Sequence, residues 1–214
     1  MPFGYPVFLE LSSRRAVVIG AGAVSAGKVE GLLAAGARVT VVAERPAERL
    51  EALQWIEGVS VERRPWRATD LDGADVCVAS SDDPGTRAAI FQAGKTRGVL
   101  MNVMDDVARC DFAAPAVVRR GDLVLAISTG GRSPALARRL REEIAGRFGP
   151  EWEQILEVLR EVREETLEAL PDLPERSRRW RAALDLGEAE ELARSERLDE
   201  LKARLRERLV GVRA

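Results

Sequence analysis

An apolar run at residues 15–19 ends in Gly20, is followed by Gly22, and passes at once into a helical pattern. A buried strand that turns through glycines straight into a helix opens a parallel βαβ unit, because parallel neighbours need a crossover and the helix supplies it. The alternation then repeats. Helical periodicity over 26–35 stops at Gly36, and 38–43 is a second strand rich in β-branched residues. Pro46 opens a helix running to 56. Residues 59–63, 75–79 and 99–103 read as three further strands, with a helix over 84–97. The predicted class is α/β, a Rossmann-like doubly wound parallel sheet.

After residue 112 the pattern changes. Residues 116–129 read as a hairpin turning at Arg120, Gly121 and Asp122, and Ser133 with Pro134 reads as the cap and first-turn proline of a helix to about 148. Gly149 and Pro150 break that helix, and from Glu151 the chain is charged and helical. Trp152, Ile155, Leu156, Leu159 and Val162 form one apolar stripe; Leu192, Leu198, Leu201, Leu205 and Leu209 form another. Helices with so little core must pack on each other, on the first domain or on a second subunit. The expected organisation is a dinucleotide-binding domain (1–112), a small α+β dimerisation and active-site region (113–149) and a helical carboxyl-terminal domain (150–214).

Composition narrows the chemistry. The 214 residues contain no histidine, which removes the usual base near neutral pH and the commonest metal ligand. Ser-His-Asp and Cys-His hydrolases are thereby excluded. Proton chemistry must rest on a carboxylate, Tyr5, a lysine or a cysteine. With 33 basic and 35 acidic residues, the net charge of -2 argues against a nucleic-acid partner. No run is long enough for a membrane span, the start lacks the regions of a signal peptide, and Cys77 and Cys110 make no disulfide framework, so a cytoplasmic protein is expected. Lysine occurs only at 28, 95 and 202, so arginine carries nearly all the positive charge; either codon bias or anion recognition accounts for this.

Gly20 and Gly22 stand where a dinucleotide fingerprint belongs, with Ser25 in place of its third glycine. Glu44, just past the second strand, is placed to bind adenosine ribose hydroxyls, which favours NAD over NADP, although Arg45 beside it blurs the choice. The alternative is an ordinary tight turn. A P-loop would also fit Gly22, Gly27 and Lys28, but Val29 replaces the required hydroxyl. The fourth strand ends in Ser80 and the fifth carries Asn102 towards Asp105 and Asp106, near the expected nicotinamide position. Asp105 is the candidate acid–base group there. Ser128, Thr129, Gly130, Gly131 and Arg132 lead into the Ser133 helix and read either as an anion site or as a capped turn.

These motifs, together with residues 5–11, 18–28, 79–83, 101–105, 112–115 and 127–142, resemble the siroheme synthase dehydrogenase/ferrochelatase family, the precorrin-2 dehydrogenases. The resemblance covers residues 3–145 closely and the tail only in character. It implies oxidation of precorrin-2 to sirohydrochlorin with NAD, and Fe(II) insertion in bifunctional members, with iron as substrate and no permanent metal site. Carried over by position, Ala23, Val24, Glu44 and Arg45 contact NAD, Asp105 is the essential aspartate and the Thr129 loop borders the cleft. Homodimers are implied, formed through hairpin and tail. The substrate is a macrocycle with eight carboxylates, for which Arg109, Arg119, Arg120 and Arg132 have an evident use. Two alternatives remain: a dehydrogenase without chelatase activity, and a non-catalytic NAD-sensing module.

Overall fold

Five parallel strands, β1 (Arg15–Ile19), β2 (Arg38–Val42), β3 (Val59–Glu62), β4 (Val76–Ala79) and β5 (Leu100–Val103), form one sheet in the order β3-β2-β1-β4-β5. The computed structural model describes residues 4–211. The strand order reverses between β1 and β4, the switch point beside which doubly wound sheets bind ligands. Register follows the apolar alternation: Val17 lies opposite Thr40 on one side and Cys77 on the other. Ala16 and Val18 enter one core with Val39, Val41, Ala26 and Val29, while Val17 and Ile19 enter a second with Cys77, Ile90 and Met101. Successive residues of β1 thus serve opposite faces, and helices cover both.

The crossover helices are α1 (Ala23–Leu33), α2 (Glu48–Ala52) and α3 (Pro84–Thr96). α1 begins three residues earlier than its periodicity suggests, directly on the glycine turn. α2 is shorter than expected. Ala47 is extended (ψ 152°) and its amide donates to the Ala21 carbonyl at 2.9 Å, which holds Pro46 and Ala47 out of the helix.

A second compact unit, Pro115–Ala214, follows the first, Met1–Ala114. It contains an antiparallel hairpin, β6 (Ala116–Arg120) and β7 (Leu123–Ile127), and helices α4 (Pro134–Arg147), α5 (Glu151–Thr166), α6 (Leu173–Ala183), α7 (Leu186–Arg194) and α8 (Leu198–Val210). Ser133 caps α4 by accepting from the Leu136 amide at 3.2 Å. The two apolar stripes meet inside this unit. Trp152, Ile155, Val158 and Val162 of α5 pack with Leu192, Leu201, Leu205 and Leu209 in a single core. Leu156 and Leu159, expected in the stripe, are only half-buried, because Val158 takes the inward position of that turn. Ion pairs join the helices over this core: Lys202 to Glu161 and Glu165, Arg206 to Glu165 at 2.6 Å, Arg194 to Glu151 at 2.6 Å, and Arg208 to Glu188. α4, by contrast, has no fully buried residue among those described, and Leu136 is 50% exposed.

Candidate functional site

The carboxyl ends of β1 and β4 meet closely. A Cβ on Gly20 would lie 2.8 Å from the Ser80 carbonyl oxygen and 3.0 Å from its Cβ, and Gly20 has φ 132°. Only glycine lets the two strand tips come together there. Gly22, the N-cap of α1, differs: a Cβ on it would meet nothing within 4 Å, so the space above it is open. No side chain caps α1 and its first turn holds no acid. The first-turn amides of Ala23 and Val24, both exposed, therefore face that open space without an intrahelical acceptor. Ser25, at the third fingerprint position, is fully buried, and its hydroxyl has no hydrogen-bond partner among the described residues.

Glu44 and Arg45 are exposed on the loop after β2. The Ala47-to-Ala21 hydrogen bond ties that loop to the glycine turn, and the Ala43 amide, donating to Glu62 at 3.0 Å, ties it to β3. An open helix terminus beside a carboxylate suits a dinucleotide: amides for its pyrophosphate, a carboxylate for its ribose hydroxyls. The residues present fit NAD.

The tip of β5 is a turn. Met104 donates to the Ala79 carbonyl at 2.8 Å and Asp106 to the Val103 carbonyl at 3.1 Å. Asp105 between them is exposed, has φ 61° and makes no ion pair among the described residues. Its neighbour differs in every respect. The Asp106 carboxylate is 14% exposed, accepts from Arg109 Nη1 at 2.6 Å and lies 3.6 Å from Arg87 Nε. Arg87, which no sequence motif singles out, also donates to the Ser81 carbonyl at 2.7 Å.

Asn102, expected at the cofactor, is buried, and its side-chain amide donates to the Phe112 carbonyl at 2.8 Å, which fastens the segment after β5 to the sheet. Asp111 acts with it, accepting from the Met101 amide at 3.0 Å and from Lys95 Nζ at 2.8 Å. Neither thiol suits nucleophilic work: burial pushes the Cys77 thiol up to about 12, and burial also raises that of Cys110.

In the second unit, Gly130 and Gly131 both have positive φ (62° and 76°) in the loop before α4. The loop is a capped turn. Gly130 donates to the Ser128 hydroxyl at 3.1 Å, and the Thr129 hydroxyl donates to the Ser133 carbonyl at 3.1 Å. Arg132 and Arg119 stay exposed, but Arg120, expected among the substrate-binding arginines, is committed elsewhere. Its Nε donates to the Phe148 carbonyl at 2.8 Å and its Nη2 to Ala145 at 3.0 Å, capping the end of α4. A groove lined by Leu156, Leu159, Trp180, Leu184 and Leu198 runs between α5, α6 and α8, and none of the site residues expected from sequence lines it.

The family model described as putative NAD(P)-binding matches residues 7–116, and that described as sirohaem biosynthesis protein central matches 120–147. The chain belongs to the family of putative NAD(P)-binding proteins that the first model describes, and the segment after it matches the sirohaem biosynthesis model. It is 34% identical over 206 residues to siroheme synthase 1 of Pectobacterium atrosepticum, covering 96% of this chain and 43% of that protein. It is likewise 34% identical over 188 residues to siroheme synthase of Methylococcus capsulatus, covering 88% of this chain and 40% of that one. The chain thus spans less than half the length of these curated relatives. A solved structure named SirC, precorrin-2 dehydrogenase, superposes with TM-score 0.63 and 25% identity, covering 96% of this chain and 97% of that one. Among the described residues no helix is long and apolar enough to cross a membrane, and no cluster of metal-ligating side chains is present.

Proposed function

We propose that this chain is an NAD-dependent dehydrogenase that oxidises precorrin-2 to sirohydrochlorin, with Fe(II) insertion into the product as a second step. The observation that carries the reading is Asp105: an exposed carboxylate, unpaired among the described residues, on the strand tip next to the β1–β4 switch point, in a chain without histidine. The likeness to proteins named siroheme synthase and precorrin-2 dehydrogenase supports the substrate.

Bound NAD supplies a hydride acceptor. The amides of Ala23 and Val24 hold its pyrophosphate, with Gly20 and Gly22 allowing the approach, and Glu44 accepts hydrogen bonds from the adenosine ribose, with Arg45 at the rim. Ser80 and the β5 tip border the nicotinamide end, where Asn102 keeps the tip in place. Dehydrogenation also releases a proton, which Asp105 accepts or whose departure it directs by orienting the macrocycle. The candidate binders of substrate carboxylates are Arg109 on the first unit and, on the second, Arg119 and Arg132 with the loop of Ser128, Thr129, Gly130 and Gly131. Insertion of iron, a substrate here, requires loss of two pyrrole protons, which the same carboxylate assists.

We further propose a homodimer in the cytoplasm. The two apolar stripes do not argue for it, since they bury each other. The half-exposed hairpin and α4 do, through Leu136 and Val117, which is 40% exposed. Light scattering at micromolar concentration should give twice the chain mass, and Leu136→Glu should give one.

Incubation with precorrin-2 and NAD, followed by absorbance with and without Fe(II), tests the activity. NADH formation is expected; NAD binding without NADH would leave a sensor module instead. Iron incorporation separates the bifunctional enzyme from a dehydrogenase alone.

A further inference from the structure

Arg87 is anchored to two loops at once. Its Nη1 donates to the carbonyls of Ser81 (2.7 Å) and Asp82 (3.3 Å) in the loop after β4. Its Nε is buried, has no hydrogen-bond partner among the described residues, and lies 3.6 Å from Asp106 Oδ2 in the turn after β5. The same Asp106 oxygen accepts from Arg109 at 2.6 Å. One half-buried guanidinium therefore spans the tips of the two strands that flank the expected reaction centre.

The turn it grips is strained. Asp105 has φ 61°, a conformation that a residue with a side chain keeps only when its surroundings hold it. Asp106 is the next residue, fixed by its amide to Val103 and by its carboxylate to the two arginines. Pinning Asp106 in this way leaves Asp105 no means of relaxing into ordinary backbone without breaking a half-buried ion pair.

We propose that Arg87 is a positioning residue for the reaction: through Asp106 it holds the turn in which Asp105 presents its carboxylate to the substrate. The role rests on the dehydrogenase reading above. Arginine suits it because its fork addresses two carbonyls and a carboxylate together, whereas a lysine ammonium is a single point charge on a flexible stem.

The full chain is compared as wild type, Arg87→Met and Arg87→Lys, with precorrin-2 and NAD. A displaced carboxylate should lower kcat roughly 10–100-fold in Arg87→Met, with the NAD dissociation constant near wild type, a modest fall in melting temperature and partial recovery of turnover in Arg87→Lys. Hydrogen exchange at the Asp106 amide should quicken in Arg87→Met while the amides of β1 and β4 keep their protection. The proposal requires both effects. Wild-type turnover, unchanged exchange at Asp106, or loss of NAD binding in step with turnover each overturns it. If wild type forms no NADH, the dehydrogenase reading fails and this role with it, while the exchange rate still reports whether Arg87 holds the turn.

Discussion

The Ser80 carbonyl oxygen lies 2.8 Å from the point where a Cβ on Gly20 would sit, so the closeness of β1 and β4 at the switch point depends on a missing methyl group. Gly20→Ala adds that methyl group and also imposes φ 132° on a residue that resists it. Backbone strain alone should cost about 1–3 kcal/mol. Chemical denaturation should register the loss, with weaker NAD binding alongside. Gly22→Ala, whose Cβ meets nothing within 4 Å among the described residues, should fold normally and lose NAD affinity only.

Glu44 is the test of cofactor choice. Its loop is tied to the glycine turn, so its substitution should leave the fold alone. NAD should bind more tightly than NADP to wild type, and Glu44→Ala should narrow the difference, because a carboxylate that favours the ribose hydroxyls repels a 2′-phosphate. Calorimetric titration of both cofactors measures it; tighter NADP binding to wild type would remove Glu44 from this role.

Asp105→Asn keeps the shape, and asparagine tolerates the left-handed backbone. NADH formation should fall roughly 10²–10⁴-fold, the loss expected of an acid–base group, with folding and NAD affinity intact. Asp106→Asn should behave differently. It leaves Arg87 and Arg109 without their carboxylate and should cost about 1–3 kcal/mol of stability, with a smaller effect on turnover. A wild-type rate for Asp105→Asn would end the proton-transfer assignment.

Asp70 is one of the carboxylates through which acid should weaken the fold. Asp70 is buried, and the Arg64 guanidinium, with the Arg67 amide at 2.7 Å, holds its pKa below the ordinary carboxylate value. A depressed folded pKa gives stability that is fully present above the unfolded value of about 3.9 and lost as pH falls towards the folded one. Urea midpoints should therefore drop below about pH 4, and the drop should be smaller in Asp70→Asn, which is already weakened at neutral pH.

The parallel sheet and the glycine turn were legible because both are local signals: an apolar run, a turn that needs glycine, a helix that follows. The different duties of Asp105 and Asp106 were not. Two adjacent aspartates look alike in sequence, and what separates them is one positive φ and a partner from α3. Arg87 is invisible for the same reason, since the contact that matters, with Asp106, reaches from α3 to the turn after the next strand. Arg120 was read by residue type as an anion binder, yet the end of α4 reaches its guanidinium first. The stripes at 152–162 and 192–209 correctly announced buried faces. An amphipathic pattern says that a face is covered, and not by what; here each covers the other.

Ion pairs join α5, α7 and α8 over the apolar core of the second unit. Charge networks weaken with added salt and gain relative weight on heating, whereas apolar burial does neither. The grip of these three helices on one another therefore has one part that salt reaches and one part that it does not. Salt is thus the variable that should loosen α7 and α8 from α5 while leaving the apolar core between them in place.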